Sequence, residues 1–232
     1  SADAVPLALT TAETQAQNAV LQWLAQPQAS SQLSTLFDAG HTSAADWGQR
    51  VEALRQSVQS GEFSLRVVLL SHESLQGAKG AYADQAPEGG AVIYLNRDWL
   101  AGGADADSIT RVLVEELGHA IDARLNGSTD TAGDEGEHFM RVVIDGVAST
   151  QPDASQADED HAVLQLDGQS VAVELAQYTF VNAYEMVYDL NNSGTVVGSD
   201  GETAAEKEQS THNFNFNNPL GAVKINDGSA GQ

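Results

Sequence analysis

Cysteine is absent from this chain of 232 residues. That absence excludes disulfides, thiolate metal sites and thiol chemistry together. Lysine is nearly missing too, with Lys79, Lys207 and Lys224 as the whole complement. Asp and Glu number 33 against 10 Lys and Arg, giving a formal charge of −23. Such a field repels phosphate backbones and anionic lipid, so no nucleic-acid partner is expected. No apolar run approaches the roughly 18 residues that cross a bilayer, so no membrane insertion is expected. The chain opens at Ser1 without a basic-then-apolar leader, and reads as a processed or excised piece of a longer protein. P-loop, dinucleotide and Gly-x-Ser-x-Gly signatures are also missing.

What is present can build a core, because 41% of the residues are apolar. Leu, Val and Ala spacings predict a helix over 11–25, ended by Pro27, and another over 43–60, closed by Gly61. Residues 63–70 and 91–96 read as strands, joined by a Gly-rich loop through Gly90. The longest helix is expected over 107–126, with Asp105 or Asp107 as N-cap and Gly127 as stop. A shorter helix follows over 134–145. Two runs, 162–166 and 170–175, flank Asp167-Gly168, a hairpin signal. The reading is an α+β domain over 1–176 with a C-terminal β-hairpin, then a polar, Asn/Gly-rich segment over 177–232.

The chemistry concentrates on the long helix. At about 100° per residue, Glu115, His119 and Asp122 fall within roughly 60° of one another. Ile109, Val112, Leu113, Leu117 and Ile121 cover most of the remaining circumference. Glu116 borders the polar stripe among apolar neighbours. A carboxylate there needs a metal, a cation or a proton, since unpartnered burial costs several kcal/mol. Three carboxylates and an imidazole on one buried helix point to a metal centre.

Glu115-Glu116-x-x-His119 resembles the zincin motif His-Glu-x-x-His, with the first His replaced by Glu. The stretch EELGHAIDARLN followed by DTAGDEGEHF resembles, more closely, a zincin-like domain of large secreted bacterial surface proteins carrying calcium-binding RTX-type repeats. The likeness covers roughly residues 46–175. It implies a zincin-like fold, helices around a small mixed sheet with the Glu115–His119 helix central. It implies a secreted or cell-surface location and zinc held by Glu115 and His119. Glu116 would then activate a bound water in a metallopeptidase acting on a peptide or protein, its own parent chain included. The metzincin third His fails, since Asp122 and Leu125 occupy the Gly and His positions. A gluzincin-like ligand from the next helix remains, with Glu135 preferred. Glu135 shares a face with His138, Phe139 and Val142, whereas Glu137 lies four before Arg141 and suits a surface ion pair. Asp122 and His138 stay open as alternatives.

A Glu-for-His exchange hardens the site and weakens zinc's Lewis acidity. The rival reading is therefore a non-catalytic, metal-stabilised structural or adhesion module. Glu116-x-x-His119 and Glu135-x-x-His138 also match the Glu-x-x-His unit of di-iron bundles. The early helices carry only Glu13 and Glu52, however, and the strands disfavour a bundle. Further on, Asp189, Asn191, Ser193, Thr195 and Asp200 match the ligand positions of an EF-hand- or dockerin-like calcium loop around Gly194. Asp130, Asp134, Glu135 and Glu137 form a competing calcium candidate. Zinc and calcium are the cofactors expected.

Overall fold

The computed structural model describes residues 7–38, 42–127, 134–150 and 161–176, and the backbone of 211–215. The calcium-type loop at Asp189, Asn191, Ser193, Thr195 and Asp200 lies outside the described residues, as does Asp130.

Local signals account for most helix ends. Helix α1 spans Leu7–Leu24 and α2 spans Ala29–Leu33, continued by a π-helical turn over Ser34–Asp38. Helix α3, Ala44–Ser60, starts where the Ser43 side chain accepts from the Asp46 amide, and stops at Gly61 with φ 78°. Helix α4 covers Arg97–Ala101. Helix α5, Ala106–Asn126, is capped by Asp105, whose Oδ1 accepts from the Ser108 amide at 2.7 Å. Helix α6 covers only Glu135–Met140, shorter than the sequence pattern predicts. A π-helical turn, Arg141–Asp145, then carries the chain to Gly146 at φ 66°. One extra residue per turn there rotates the last apolar side chains, which is why a single α-helical stripe does not run to Asp145.

The strands are β1 (Ser64–Leu70), β2 (Gly80–Ala83), β3 (Val92–Asn96), β4 (His161–Leu166), β5 (Gln169–Ala176) and β6 (Thr211–Asn215). They form a mixed sheet in the order β4-β5-β2-β3-β1-β6. The β1–β3 pairing is parallel and the others are antiparallel. The protein is thus α+β, with α5 laid against the sheet.

Strand β2 corrects the sequence reading, which took this stretch for loop. Gly-Ala-Tyr-Ala has no β-branched residue to announce a strand, yet all four residues are buried. Both of its edges are paired, by β3 and by β5, and this tertiary pairing overrides weak propensity.

Alternation along the central strands separates two cores. Val67, Leu69, Ile93 and Leu95 meet the helices, together with Trp23, Leu113, Leu117 and Phe139. Val68, Leu70, Val92 and Tyr94 face the other way and share a second cluster with Leu164, Leu166, Val171 and Val173 of the β4–β5 pair. This second cluster fixes which face of β5 looks toward α5. Ala172, Glu174 and Ala176 are on it.

Candidate metal centre

Two helices and one strand converge on His119. The imidazole is fully buried, in the middle of α5. Glu135, 2% exposed, opens α6 and approaches it, with Oε1 at 3.0 Å from Nδ1. Glu174 of β5 makes a second ion-pair contact to the same nitrogen. One ligand atom from each of the three lies within 4.8 Å of the others, and the group could hold a metal ion.

Close backbone approach brings α6 to α5. A Cβ on Gly118 would lie 3.0 Å from the Gly136 Cα and 3.0 Å from the Phe139 Cβ. A Cβ on Gly136 would sit 2.5 Å from His119 Nε2 and 2.9 Å from the Glu115 carbonyl oxygen. Two glycines therefore set the helix separation. Phe139, one turn after Glu135, anchors α6 from below. Its ring meets Trp23 edge-on at 5.4 Å and Phe37 at 6.0 Å. Asp134 caps α6, accepting from the Glu137 amide at 3.0 Å. Arg111 grips Asp145 with two hydrogen bonds of 2.8 Å and ties the following turn to α5.

The sequence-predicted residues divide. His119 and Glu135 come together. Glu115, 1% exposed, is buried on the same helix but is not one of the three. The second carboxylate of the group is Glu174, which no local motif marks. The only sequence signal was parity: in β5 a charged residue alternates with Ala172 and Ala176 on one face. Glu137 pairs with Arg141 on the surface. Asp122 accepts from Asn126 Nδ2 at 2.5 Å, and Asn126 in turn donates to the Phe37 carbonyl at 3.0 Å. His138 is half-buried and 3.5 Å from the Thr150 hydroxyl, outside the group. Asp134 is absorbed in capping.

Glu116 is 0% exposed and points at the sheet. A Cβ on Gly80 would come within 2.7 Å of its Oε1. Neither oxygen makes a hydrogen bond of good geometry, and the Ala176 backbone offers only weak compensation. Burial pushes its pKa well above the usual carboxylate range, with the Glu115 and Glu174 charges adding to the rise and His119 opposing it.

Electrostatics define the metal-free state of the centre. Burial works to lower the His119 pKa, but the hydrogen bonds and charges of Glu135 and Glu174 outweigh it and hold the ring protonated well above its ordinary value. Burial lifts Glu135 to about 7, with His119 working against the rise. For Glu174 burial again raises, but the His119 hydrogen bond and charge prevail and leave it lowered. In the metal-free state the protonated imidazole is itself the cation between buried Glu135 and part-buried Glu174.

A pocket of about 440 Å³ opens beside the group. His119, Asp122 and Glu174 form part of its wall, and Tyr82 of β2 and His161 of β4, the register partners of Glu174, also line it. Glu116 is not among the lining residues. The Tyr82 hydroxyl donates to Asp84 Oδ1 at 3.2 Å, and burial with that carboxylate pushes its pKa up. Comparison with family models, curated proteins and solved structures finds no match for this chain.

Proposed function

We propose that this chain is a zincin-like, metal-dependent peptidase domain of a secreted or cell-surface protein, acting on a peptide or protein, its own parent chain included. The observation that carries the reading is the buried His119–Glu135–Glu174 group beside an open pocket. The donor set fits a divalent cation: one imidazole and two carboxylates suit zinc, manganese or iron. A divalent cation bound there would replace the proton that His119 holds in the metal-free state.

His119, Glu135 and Glu174 would hold the ion. Bound there, a divalent cation would polarise a carbonyl and make a nearby water more acidic. Gly118 and Gly136 keep the two helices close enough for His119 and Glu135 to act together. The pocket beside the group would receive the substrate. The motif assigns to Glu116 the transfer of a proton from the attacking water to the leaving amine, and for that its carboxyl must turn from Gly80 toward the pocket and be ionised.

A second reading has its own support. Glu116 lies against Gly80 rather than on the pocket wall, as suits a metal-stabilised structural or adhesion module with no turnover. Calcium at the Asp189–Asp200 loop would serve either reading.

Elemental analysis of the purified, unchelated protein is the first test, on wild type and on His119→Ala/Glu135→Ala. About one zinc per chain in wild type, lost in the double variant, is the expected result. Glu116→Gln should keep the metal yet lower hydrolysis of a peptide library on the order of 10²-fold or more. Unchanged hydrolysis in Glu116→Gln would remove that residue from the mechanism. Metal-dependent stability without hydrolysis in wild type would establish the structural module instead.

A further inference from the structure

The pocket beside the centre has a mixed lining. Register across the sheet sets its floor: Tyr82, Glu174 and His161 form one row over β2, β5 and β4, and Ala172 with Val163 belongs to the next. Register partners project from the same face of a sheet, here the face toward α5. Val163 is 53% exposed, a large apolar side chain left open to solvent, and it lines this pocket beside the small Ala172. Three carboxylates border the same space, Asp84, Asp122 and Glu174, while no lysine or arginine is among the described residues that line it. Arg124, the basic residue in the last turn of α5, pairs instead with Glu62 at 2.7 Å, outside the lining. The stretches 128–133 and 151–160 adjoin the lining residues Gly127 and His161 in the chain. Their sequence adds five acids and again no lysine or arginine.

Such a lining suits one kind of occupant. A lysine or arginine side chain lays its apolar stem along apolar surface and keeps its cationic head among charges or water. Val163 and Ala172 offer the first, and Asp84 the second. Asp84 is exposed, and the Tyr82 hydroxyl that donates to it at 3.2 Å orients its carboxylate without cancelling its charge. Burial first, and then the charges of Asp84, Glu174 and Asp122, push the Tyr82 pKa up, so three carboxylates converge on one hydroxyl. A divalent ion at the centre would balance Glu135 and Glu174, and the charge of Asp84 would remain to attract the substrate. We propose that this pocket selects a basic side chain, so that the substrate of the centre is a peptide presenting lysine or arginine, with Asp84 as the specificity-determining carboxylate. The inference rests on the peptidase reading above and names the substrate class for it.

N-acetyl-arginine amide and its neutral isostere N-acetyl-citrulline amide test this by NMR titration of the full chain, at about 0.15 M salt to screen its general field. Wild type, zinc-free and zinc-loaded, should bind the arginine compound roughly fivefold more tightly than the citrulline one, the reach of a partly exposed ion pair. Asp84→Asn should abolish that difference. Asp107→Asn, which removes the same charge in the first turn of α5, should keep it. Cleavage of a peptide library by wild type should favour lysine or arginine at one position beside the cut bond, and Asp84→Asn should lose that preference. Equal binding of the two compounds by wild type would overturn the proposal. So would a preference that survives Asp84→Asn or falls equally in Asp107→Asn. A wild type that cleaves nothing, yet keeps the Asp84-dependent preference, would sink the peptidase reading and uphold the selectivity of the pocket.

Discussion

His119 in the metal-free protein is a buried cation, and the chain should behave accordingly with pH. A His whose folded pKa is raised stabilises fully below its unfolded value, near 6.5, and loses that contribution as pH rises through the folded value. Glu135 acts in the same direction: its folded pKa of about 7 exceeds the ordinary 4.5, so the folded state holds a proton that the unfolded chain releases. Glu116, raised by burial, adds to the trend. Glu174 is lowered, so its contribution is present above about 4.5 and lost only in more acidic solution. The melting temperature of chelated protein should therefore fall as pH rises from about 4.5 through about 7, and continue to fall as His119 loses its proton. Metal uptake must run the other way, because the ion competes with those same protons and binds better as pH rises. Thermal scans with and without zinc across that range check both signs. A chelated protein whose stability rises with pH would contradict the arrangement of charges around His119.

Among the elements, the α5–α6 crossing is the one most sensitive to a single atom. Gly136→Ala puts a methyl 2.5 Å from His119 Nε2, backed by the Glu115 carbonyl oxygen at 2.9 Å, so α6 must move. Zinc affinity is expected to drop at least ~tenfold, measured by competition with a chromophoric chelator. Gly48→Ala is the control. It lies within α3 with nothing within 4 Å of the new methyl, and should stabilise by ~0.5–1 kcal/mol without touching the metal. Phe139→Ala removes the ring wedged against Trp23 and Phe37 and should cost about 3–5 kcal/mol, loosening Glu135 as well. Metal affinity unchanged by both Gly136→Ala and Phe139→Ala would mean that α6 does not position the ligand. These elements also show what was legible. The limits of α3 and α5 were readable because Ser43, Gly61, Asp105 and Gly127 act within a turn of where they stand. Glu135 was readable because its stripe partner Phe139 lies one helical turn away. Strand β2 was hidden, since its state depends on partners β3 and β5 that Gly80-Ala-Tyr-Ala does not encode. Glu174 was hidden for the same reason. Parity placed it on one face of β5, but nothing nearby in sequence says that His119 lies across that face.

At the scale of the whole molecule, the −23 formal charge is the governing fact. A chain so acidic repels itself when compact, and the repulsion reaches ~30 Å at 0.01 M salt but only ~8 Å at 0.15 M. Its melting temperature should rise with sodium chloride over that interval. Divalent ions complicate the measurement, because they screen carboxylates in general as well as filling a specific site. The two effects separate by concentration and by variant. Screening needs millimolar ion and should survive in His119→Ala/Glu135→Ala. Site binding should appear as a step at micromolar zinc in wild type alone. At a hundredfold excess over the dissociation constant it is worth about 2.7 kcal/mol, which in a protein of this size raises the melting temperature by roughly 5–10 °C. A calcium step that persists in the double variant but vanishes in Asp189→Ala would belong to the loop at 189–200. A zinc response identical in wild type and double variant would reduce the ion to one more screen on an acidic surface. The buried His119–Glu135–Glu174 group would then be an internal ion pair held by its own proton.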